Sequence, residues 1–144
     1  MKKINTLSLA FILLTIMIMA ACSATENQAE LPGSTWRLIS YGPLHNQTAA
    51  VPDIETSLRF DKDGKMGGNL GCNSFSGDFK VNADQIIIGQ VAATMMYCQE
   101  PVMQQENATL QAISSTNSFQ LNADRLIFTS ANGETAIIFE RVGN

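Results

Sequence analysis

Glycine is dense in residues 67–79, which read Gly67-Gly68-Asn69-Leu70-Gly71-Cys72-Asn73-Ser74-Phe75-Ser76-Gly77-Asp78-Phe79. Four of the chain's ten glycines lie in this run. Glycine adopts positive φ without steric cost, so this density predicts a backbone that turns sharply and approaches other segments closely. The asparagines support the same prediction, because a short amide can bond back to the backbone in a turn. The run is therefore predicted to be a shaped loop on a scaffold formed by the rest of the chain.

The chain begins with the three parts of a secretion signal. Met1-Lys2-Lys3 is basic, residues 4–21 are uncharged and largely apolar, and small residues precede Cys22. The run Met19-Ala20-Ala21-Cys22 resembles a bacterial lipobox, at which lipoprotein signal peptidase cuts before a cysteine that carries diacylglycerol. We therefore predict a signal peptide at 1–21 and lipidation of Cys22. Two alternatives stay open: an uncleaved anchor, since about eighteen apolar residues can just span a bilayer, and ordinary secretion with an incidental Cys22.

The mature chain is predicted to be a tether followed by one domain. Residues 22–33 are polar and aperiodic, which predicts a lipidated tether, and residues 34–144 are long enough for a domain with its own core. Seven basic residues face thirteen acidic ones after the predicted cut, so nucleic acid is not an expected partner. The expected partner is a membrane, reached through the N-terminal lipid. We expect the chain in the bacterial cell envelope, and Ser23 after the cysteine resembles lipoproteins of the outer membrane that face the periplasm, if the source is Gram-negative.

With Cys22 assigned to lipid, Cys72 and Cys98 remain. An exported compartment favours oxidation, which predicts a Cys72–Cys98 disulfide, and two buried free thiols are the alternative. Two cysteines and one histidine fall short of a four-ligand zinc site. We predict no metal site and no cofactor.

Alternating apolar and polar residues predict seven or eight short strands. The first strand is predicted to place Trp36, Leu38 and Ser40 on one face, with Trp36 as a core anchor and a ligand-stacking platform as its alternative. His45, the single histidine, lies among polar loop residues and is interpreted as exposed rather than as a catalytic base. Turns are predicted at the Asp-Gly of residues 61–65 and at Asn132-Gly133.

Two stretches forty residues apart have the same pattern. Residues 79–88 and 119–128 each contain Asn-Ala-Asp between two apolar runs. Both are predicted to be hairpins, and either internal duplication or reuse of the same turn chemistry explains the similarity.

One helix is predicted, from Pro101 to about Ser114, with Pro101 at its first position. Its stripe of Met103, Glu106, Leu110 and Ile113 places a carboxylate on the apolar face. A buried carboxylate needs partners, so Glu106 is predicted to be a structural polar residue held by backbone N–H groups or polar side chains. A ligand contact and acid or base catalysis are the alternatives. The predicted fold class is mainly β (β-rich α+β), a small antiparallel sheet curled into a partly open barrel with one packed helix.

The combination resembles the META domain family, which includes the bacterial heat-shock protein HslJ. The residues that carry the resemblance are Trp36-Arg37-Leu38, Gly71-Cys72-Asn73, Phe75-x-Gly77-x-Phe79, Thr94-Met95-Met96-Tyr97-Cys98, and Glu106 with Leu110. Tyr97 departs from the pattern, where a small residue is expected. The resemblance implies a compact β-rich fold with one helix and, in exported members, a cysteine pair. It also implies an association with heat shock and novobiocin resistance, without an agreed enzymatic activity or ligand.

The leading functional hypothesis is a membrane-anchored, non-enzymatic envelope module linked to stress or antibiotic tolerance, which binds a protein or peptide. Its predicted binding loop consists of Asn73, Ser74, Phe75 and Ser76, pinned by the cysteine pair. One alternative is a small ligand or lipid inside the barrel, although a short barrel is more often filled by side chains, here Phe60, Phe79, Ile87, Phe128 and Ile138. The other is an enzyme that uses Cys72 or Cys98 as nucleophile, but no histidine lies near them in sequence.

Overall fold

The computed structural model of the chain describes residues 31–143. The predicted signal peptide, the predicted lipidation site Cys22 and most of the predicted tether lie outside the described residues. In the part of the chain that is described, no helix is long and apolar enough to cross a membrane.

Residues 31–143 form ten strands and one helix. The strands are β1 (Ser34–Pro43), β2 (Thr48–Ala49), β3 (Ser57–Phe60), β4 (Lys65–Asn69), β5 (Ser74–Asn82), β6 (Gln85–Ile88), β7 (Ala92–Ala93), β8 (Thr116–Asn122), β9 (Arg125–Ser130) and β10 (Thr135–Arg141). The helix, α1, spans Val102–Ser114 and lies between β7 and β8.

Eight of these strands form a closed antiparallel barrel in the order β1-β3-β4-β5-β6-β8-β9-β10, with β10 paired back onto β1. The short strands β2 and β7 add to β1 and β5. The prediction of a mainly β barrel with one helix is confirmed, but the barrel is closed rather than partly open. The shortest strand pairing in the barrel is β6–β8, where Gln85 pairs with Ser118 and the Phe119 N–H donates to Asp84 O at 2.9 Å.

The glycine-rich run is mostly strand rather than loop, which corrects the prediction. Gly67 and Gly68 belong to β4, Ser74 begins β5, and only residues 70–73 connect the two strands. A Cβ on Gly67 would lie 2.7 Å from Phe75 O, and one on Gly68 would lie 2.0 Å from Ser57 O. Glycine is needed here because neighbouring backbones approach closely, and at Gly68 also because φ is 155°, a conformation that other residues rarely adopt.

The first strand contains a β-bulge that changes which residues face inward. Trp36 and Leu38 are buried as predicted, but the pairing with β10 shifts between Leu38 and Ser40. Tyr41 is therefore buried, whereas Ser40 is only half-buried. Alternation from Trp36 onward predicted the opposite for these last two residues.

Aromatic side chains fill the barrel interior. The Phe60 ring contacts those of Phe79 and Phe128 edge to face, at centroid distances of 4.9 and 6.1 Å, and Phe128 contacts Phe139 at 5.7 Å. Such pairs add to the stabilisation from burial alone. Trp36 is fully buried, so its prediction as a core anchor is confirmed, and its indole N–H donates to Ser34 Oγ at 2.6 Å.

Two residues predicted for this core do not belong to it. Ile87 is 66% exposed and its neighbour Ile86 is buried instead. Ile138 is half-buried, with Ile137 and Phe139 on either side of it in the core. Both errors fall in runs of consecutive isoleucines, where alternation does not fix the inward face.

The two Asn-Ala-Asp stretches form matching hairpins, β5–β6 and β8–β9. Ala83 and Ala123 occupy the same turn position with φ of 57° and 51°. This is the left-handed region, which is costly for alanine. The two turns therefore share an uncommon backbone conformation as well as a sequence.

The helix begins one residue later than predicted, at Val102, with Pro101 immediately before it. It packs against β1 and β10. Its buried residues are Gln105, Glu106, Thr109, Ala112 and Ile113, whereas Met103 and Leu110 are only half-buried. The face of α1 that meets the barrel is thus more polar than the predicted stripe.

Candidate functional site: an exposed segment anchored by Asn73, Glu106 and a disulfide

The connection between β4 and β5 lies against the start of the helix. Asn69 closes a tight turn, because its Oδ1 accepts the Gly71 N–H at 2.8 Å and its Nδ2 donates to Cys72 O at 3.2 Å. A Cβ on Gly71 would lie 3.0 Å from Val102 O. The absence of a side chain at 71 therefore lets the connection approach α1.

Glu106 projects from α1 into this connection and is 2% exposed. Its Oε2 accepts the Cys72 N–H at 2.7 Å and also the Asn73 N–H. Its Oε1 accepts Asn73 Nδ2 at 2.6 Å. Two backbone N–H groups and one amide are the partners that a buried carboxylate requires, and hydrogen bonds to a charged acceptor are stronger than neutral ones.

Asn73 uses the full hydrogen-bonding capacity of its amide. Besides the bond to Glu106, Nδ2 donates to Met96 O at 3.1 Å. Oδ1 accepts the Met96 N–H at 2.7 Å and the Thr94 hydroxyl at 2.8 Å. Asparagine offers two donors and two lone pairs, so all four positions are satisfied. The side chain thereby joins α1 to residues 94–97, which we call the 94–97 segment.

The Cys72–Cys98 disulfide fixes the far end of the same segment. The two Cα atoms are 6.0 Å apart, as in ordinary disulfides. At the near end, the Thr94 N–H donates to Ser74 O at 3.0 Å. The 94–97 segment is thus attached at both ends and at Met96.

Three large side chains on this anchored backbone point into solvent. Met95 is 98% exposed, Tyr97 is 84% exposed and Met96 is 56% exposed. A single exposed hydrophobic residue is ordinary, but three consecutive ones on an ordered backbone form a candidate interaction surface.

The predicted binding loop is only partly accessible. Asn73 and Phe75 are buried, with 2% and 4% exposure, whereas Ser74 and Ser76 are exposed. Asn73 faces inward because its amide bonds to Glu106 and Met96, and Phe75 packs in the core. Asn73 and Phe75 are therefore not exposed to a partner in this structure, and the exposed surface that Asn73 supports lies in the 94–97 segment.

Sequence reasoning also missed Gln105, which is fully buried beside Glu106. Its Oε1 accepts the Val51 N–H at 2.6 Å and its Nε2 donates to Leu70 O at 2.8 Å. It therefore bonds both the loop after β2 and the residue after β4 to α1. A glutamine adjacent to an inward glutamate was the available signal, but helical periodicity counted it as polar surface.

A shallow cleft of about 740 Å³ lies beside this region, over the outer side of β3, β4 and β5. Its charged walls are internally paired, Arg59 with Asp61 at 2.8 Å and Lys65 with Asp78. The carboxylates of Asp61 and Asp78 raise the pKa of Arg59 and Lys65 respectively.

Within residues 31–143, no three histidine, cysteine, aspartate or glutamate side chains gather as metal ligands would. His45 lies in the exposed loop between β1 and β2.

The family model of the META domain matches residues 29–143. The chain belongs to the META domain family. No curated protein matches it. Among solved structures, this META domain is similar to a protein from Burkholderia xenovorans determined by NMR, with a TM-score of 0.67 and 22% identity over 79% of this chain and 85% of that one. It is also similar to a DUF4847 family protein from Bacteroides vulgatus ATCC 8482, with a TM-score of 0.58 and 14% identity over 76% of this chain and 93% of that one. These likenesses concern the fold, a small barrel.

Proposed function

We propose that this META domain is a non-enzymatic binding module of the bacterial cell envelope, anchored through lipid on Cys22, which binds a protein or peptide partner at the 94–97 segment. The family's association with heat shock and antibiotic tolerance supports a role for this binding in the response of the envelope to stress.

The exposure of Met95, Met96 and Tyr97 on an anchored backbone is the observation that carries the proposal. A disordered loop must lose conformational entropy when a partner orders it, which weakens binding. The disulfide and the Asn73 amide have already ordered this segment in the free domain. Its apolar side chains are therefore presented at a reduced entropic cost.

The state of the cysteines supports a binding role over catalysis. Cys72 and Cys98 are joined to each other, so neither sulfur is a thiolate nucleophile in the oxidised domain. Glu106 accepts three hydrogen bonds from Cys72 and Asn73, so three of its roughly four lone-pair positions are occupied and the carboxylate is buried, which disfavours a role as general base.

The packing of the barrel favours a partner outside it over a ligand inside it. Three fully buried rings cross the interior: Phe60 contacts Phe128, and Phe128 contacts Phe139. A small barrel filled in this way holds side chains where a larger one holds a ligand.

Photocrosslinking in living cells tests the proposal. Benzoylphenylalanine replaces Tyr97 in the full-length chain, and a matched variant carries it at Lys62, which is exposed in the turn between β3 and β4. We expect a discrete adduct from position 97 and none from position 62. Absence of an adduct at 97, with the protein folded and membrane-attached, would contradict the proposal, and so would equal adducts from both positions.

A further inference from the structure

Strand β7 and the residues after it leave one side of the sheet open. Phe75 lies opposite Ala93, Ser76 lies opposite Ala92, and the Thr94 N–H bonds to Ser74 O. Residues of an antiparallel strand alternate between facing their neighbour and facing away from it. Because residues 92 and 94 face β5, the N–H and C=O groups of Ala93 and Met95 point away from it.

The two residues that carry these outward groups are exposed. Ala93 is exposed and Met95 almost completely so. Within residues 31–143, β7 pairs with β5 and with no other strand. The edge at Ala93 and Met95 is therefore a row of backbone donors and acceptors that face solvent.

This edge lacks two of the three features that usually prevent strand addition. Charged residues, prolines and very short lengths protect exposed edges in natural sheets, and only the short length of β7, two residues, applies here. Residues 91–97 read Val-Ala-Ala-Thr-Met-Met-Tyr and contain neither a charge nor a proline. The other short strand, β2, lies in a segment bounded by Pro43 and Pro52. The edge at β7 is thus open in sequence as well as in structure.

We infer that an extended segment of another polypeptide adds to this edge as a β-strand, with its backbone bonded to Ala93 and Met95. The inference rests on the proposed function, because it specifies how the partner binds. Backbone bonds supply affinity in strand addition, and side-chain pockets supply specificity. Here Met95, Met96 and Tyr97 supply those side-chain contacts, and methionine adapts to partners of different shape.

A separate polypeptide fits this edge better than a second copy of the chain does. β7 itself has two residues, and an edge that continued to Tyr97 would span only about 17 Å, so two such edges bury much less than the roughly 1,200 Å² of a stable interface. The chain also carries a formal charge of −4, which disfavours association with itself. A flexible segment of another polypeptide can extend beyond the edge and contact Tyr97. Alternating apolar residues in that segment would suit pairing as a strand, and a neutral or basic charge would suit the negative charge of this chain.

The test combines benzoylphenylalanine at Tyr97 with substitutions at Ala93 in the full-length chain. Ala93→Pro removes the outward N–H and leaves the bonds between β7 and β5 in place. Ala93→Ser keeps the N–H and is the matched control. We expect the adduct yield to fall about tenfold with proline and to stay unchanged with serine, since one backbone bond is lost and its partner is left unpaired.

Met95→Pro repeats the test at the second outward position, so that one misfolded variant does not decide the result. Each variant is first checked for an intact Cys72–Cys98 disulfide and a cooperative thermal transition. Unchanged adducts in both proline variants would overturn strand addition while leaving the proposed function intact. No adduct in the parent would overturn the proposed function itself, and an adduct of twice the chain's mass would identify a second copy and overturn the inferred occupant.

Discussion

Asn73 Nδ2 donates to Glu106 Oε1 at 2.6 Å, and this bond links the helix to the exposed 94–97 segment. Glu106 fixes the orientation of the Asn73 amide, and the oriented amide bonds both the N–H and the C=O of Met96. The carboxylate therefore acts on the exposed surface through Asn73, without a hydrogen bond of its own to Met95 or Tyr97. Changes at 106 and 73 are expected to affect that surface differently.

Glu106→Gln is expected to destabilise the domain by about 1.5–3 kcal/mol, the range for hydrogen bonds to a charged group. The introduced amide keeps one oxygen for the backbone N–H groups of Cys72 and Asn73, but turns a donor toward Asn73 Nδ2. Urea unfolding measures the change. Glu55→Gln, the same substitution at an exposed residue, is the control and should change stability by less than about 0.5 kcal/mol. Equal stability of the two variants would mean that the three bonds to Glu106 contribute nothing net.

Asn73→Ala is expected to loosen the 94–97 segment while leaving the barrel folded. It removes both side-chain bonds to Met96 and the one from Thr94. Hydrogen exchange at the Met96 amide should accelerate by at least about tenfold, since opening no longer breaks that bond. Chymotrypsin cleavage after Tyr97 should also become faster. Ser74→Ala, next to it and exposed, should change neither rate, and a Met96 amide as protected as in the parent would rule out the role given to Asn73.

Replacing both cysteines, Cys72→Ser with Cys98→Ser, is expected to lower stability by about 3–4 kcal/mol in the chain-entropy model. The disulfide joins residues 26 positions apart, so the unfolded chain gains considerable freedom when it is absent. Calorimetry of the oxidised parent, the reduced parent and the double variant measures the loss. The reduced parent and the double variant should agree, and a loss below about 1 kcal/mol would show that the link orders the 94–97 segment without stabilising the fold.

The sequence identified the outline of the fold because its strongest signals are local. Turn chemistry at Asp-Gly and Asn-Ala-Asp placed the hairpins, and Trp36 with Leu38 gave the inward face of the first strand correctly. The errors come from effects that alternation cannot register. A β-bulge makes Tyr41 the buried residue in place of Ser40. Barrel closure depends on the pairing of β1 with β10, which are the first and last strands along the sequence.

The candidate site was harder to predict than the fold, and for a specific reason. Asn73 and Glu106 were both recognised as unusual polar residues, but a sequence does not reveal which side of the backbone a loop amide faces. The structure turns Asn73 inward to Glu106 and Met96, so the residue predicted to contact a partner instead supports the residues that do so in our proposal. Met95, Met96 and Tyr97 had no periodicity to mark them, and only their exposure distinguishes them from core residues.

Ala83→Gly and Ala123→Gly are each expected to stabilise the domain by about 0.5–1 kcal/mol. Both alanines have positive φ, which costs an L-residue about 1–2 kcal/mol, whereas glycine loses about 0.5–1 kcal/mol through its freer unfolded state. Thermal unfolding should show a higher Tm for each variant and additive gains for the pair, because the turns lie in separate hairpins. Ala131→Gly, exposed and without positive φ, should not raise the Tm. A lower Tm for both turn variants would contradict the strain assigned to these positions.

Tyr41→Phe is expected to reduce the loss of stability in alkaline solution. Burial, and secondarily the charge of Glu100, raise the pKa of Tyr41 above its usual value of 10.0. The folded state then holds the phenolic proton more tightly than the unfolded state does. The stability that the neutral Tyr41 hydroxyl contributes is therefore complete below about pH 10 and is lost as the pH rises through the folded pKa. The free energy of unfolding, measured with urea between pH 9 and pH 11, should therefore fall less steeply for Tyr41→Phe than for the parent. Tyr97→Phe, at an exposed ring, should follow the parent, and parallel curves for all three proteins would remove Tyr41 as the source of alkaline destabilisation.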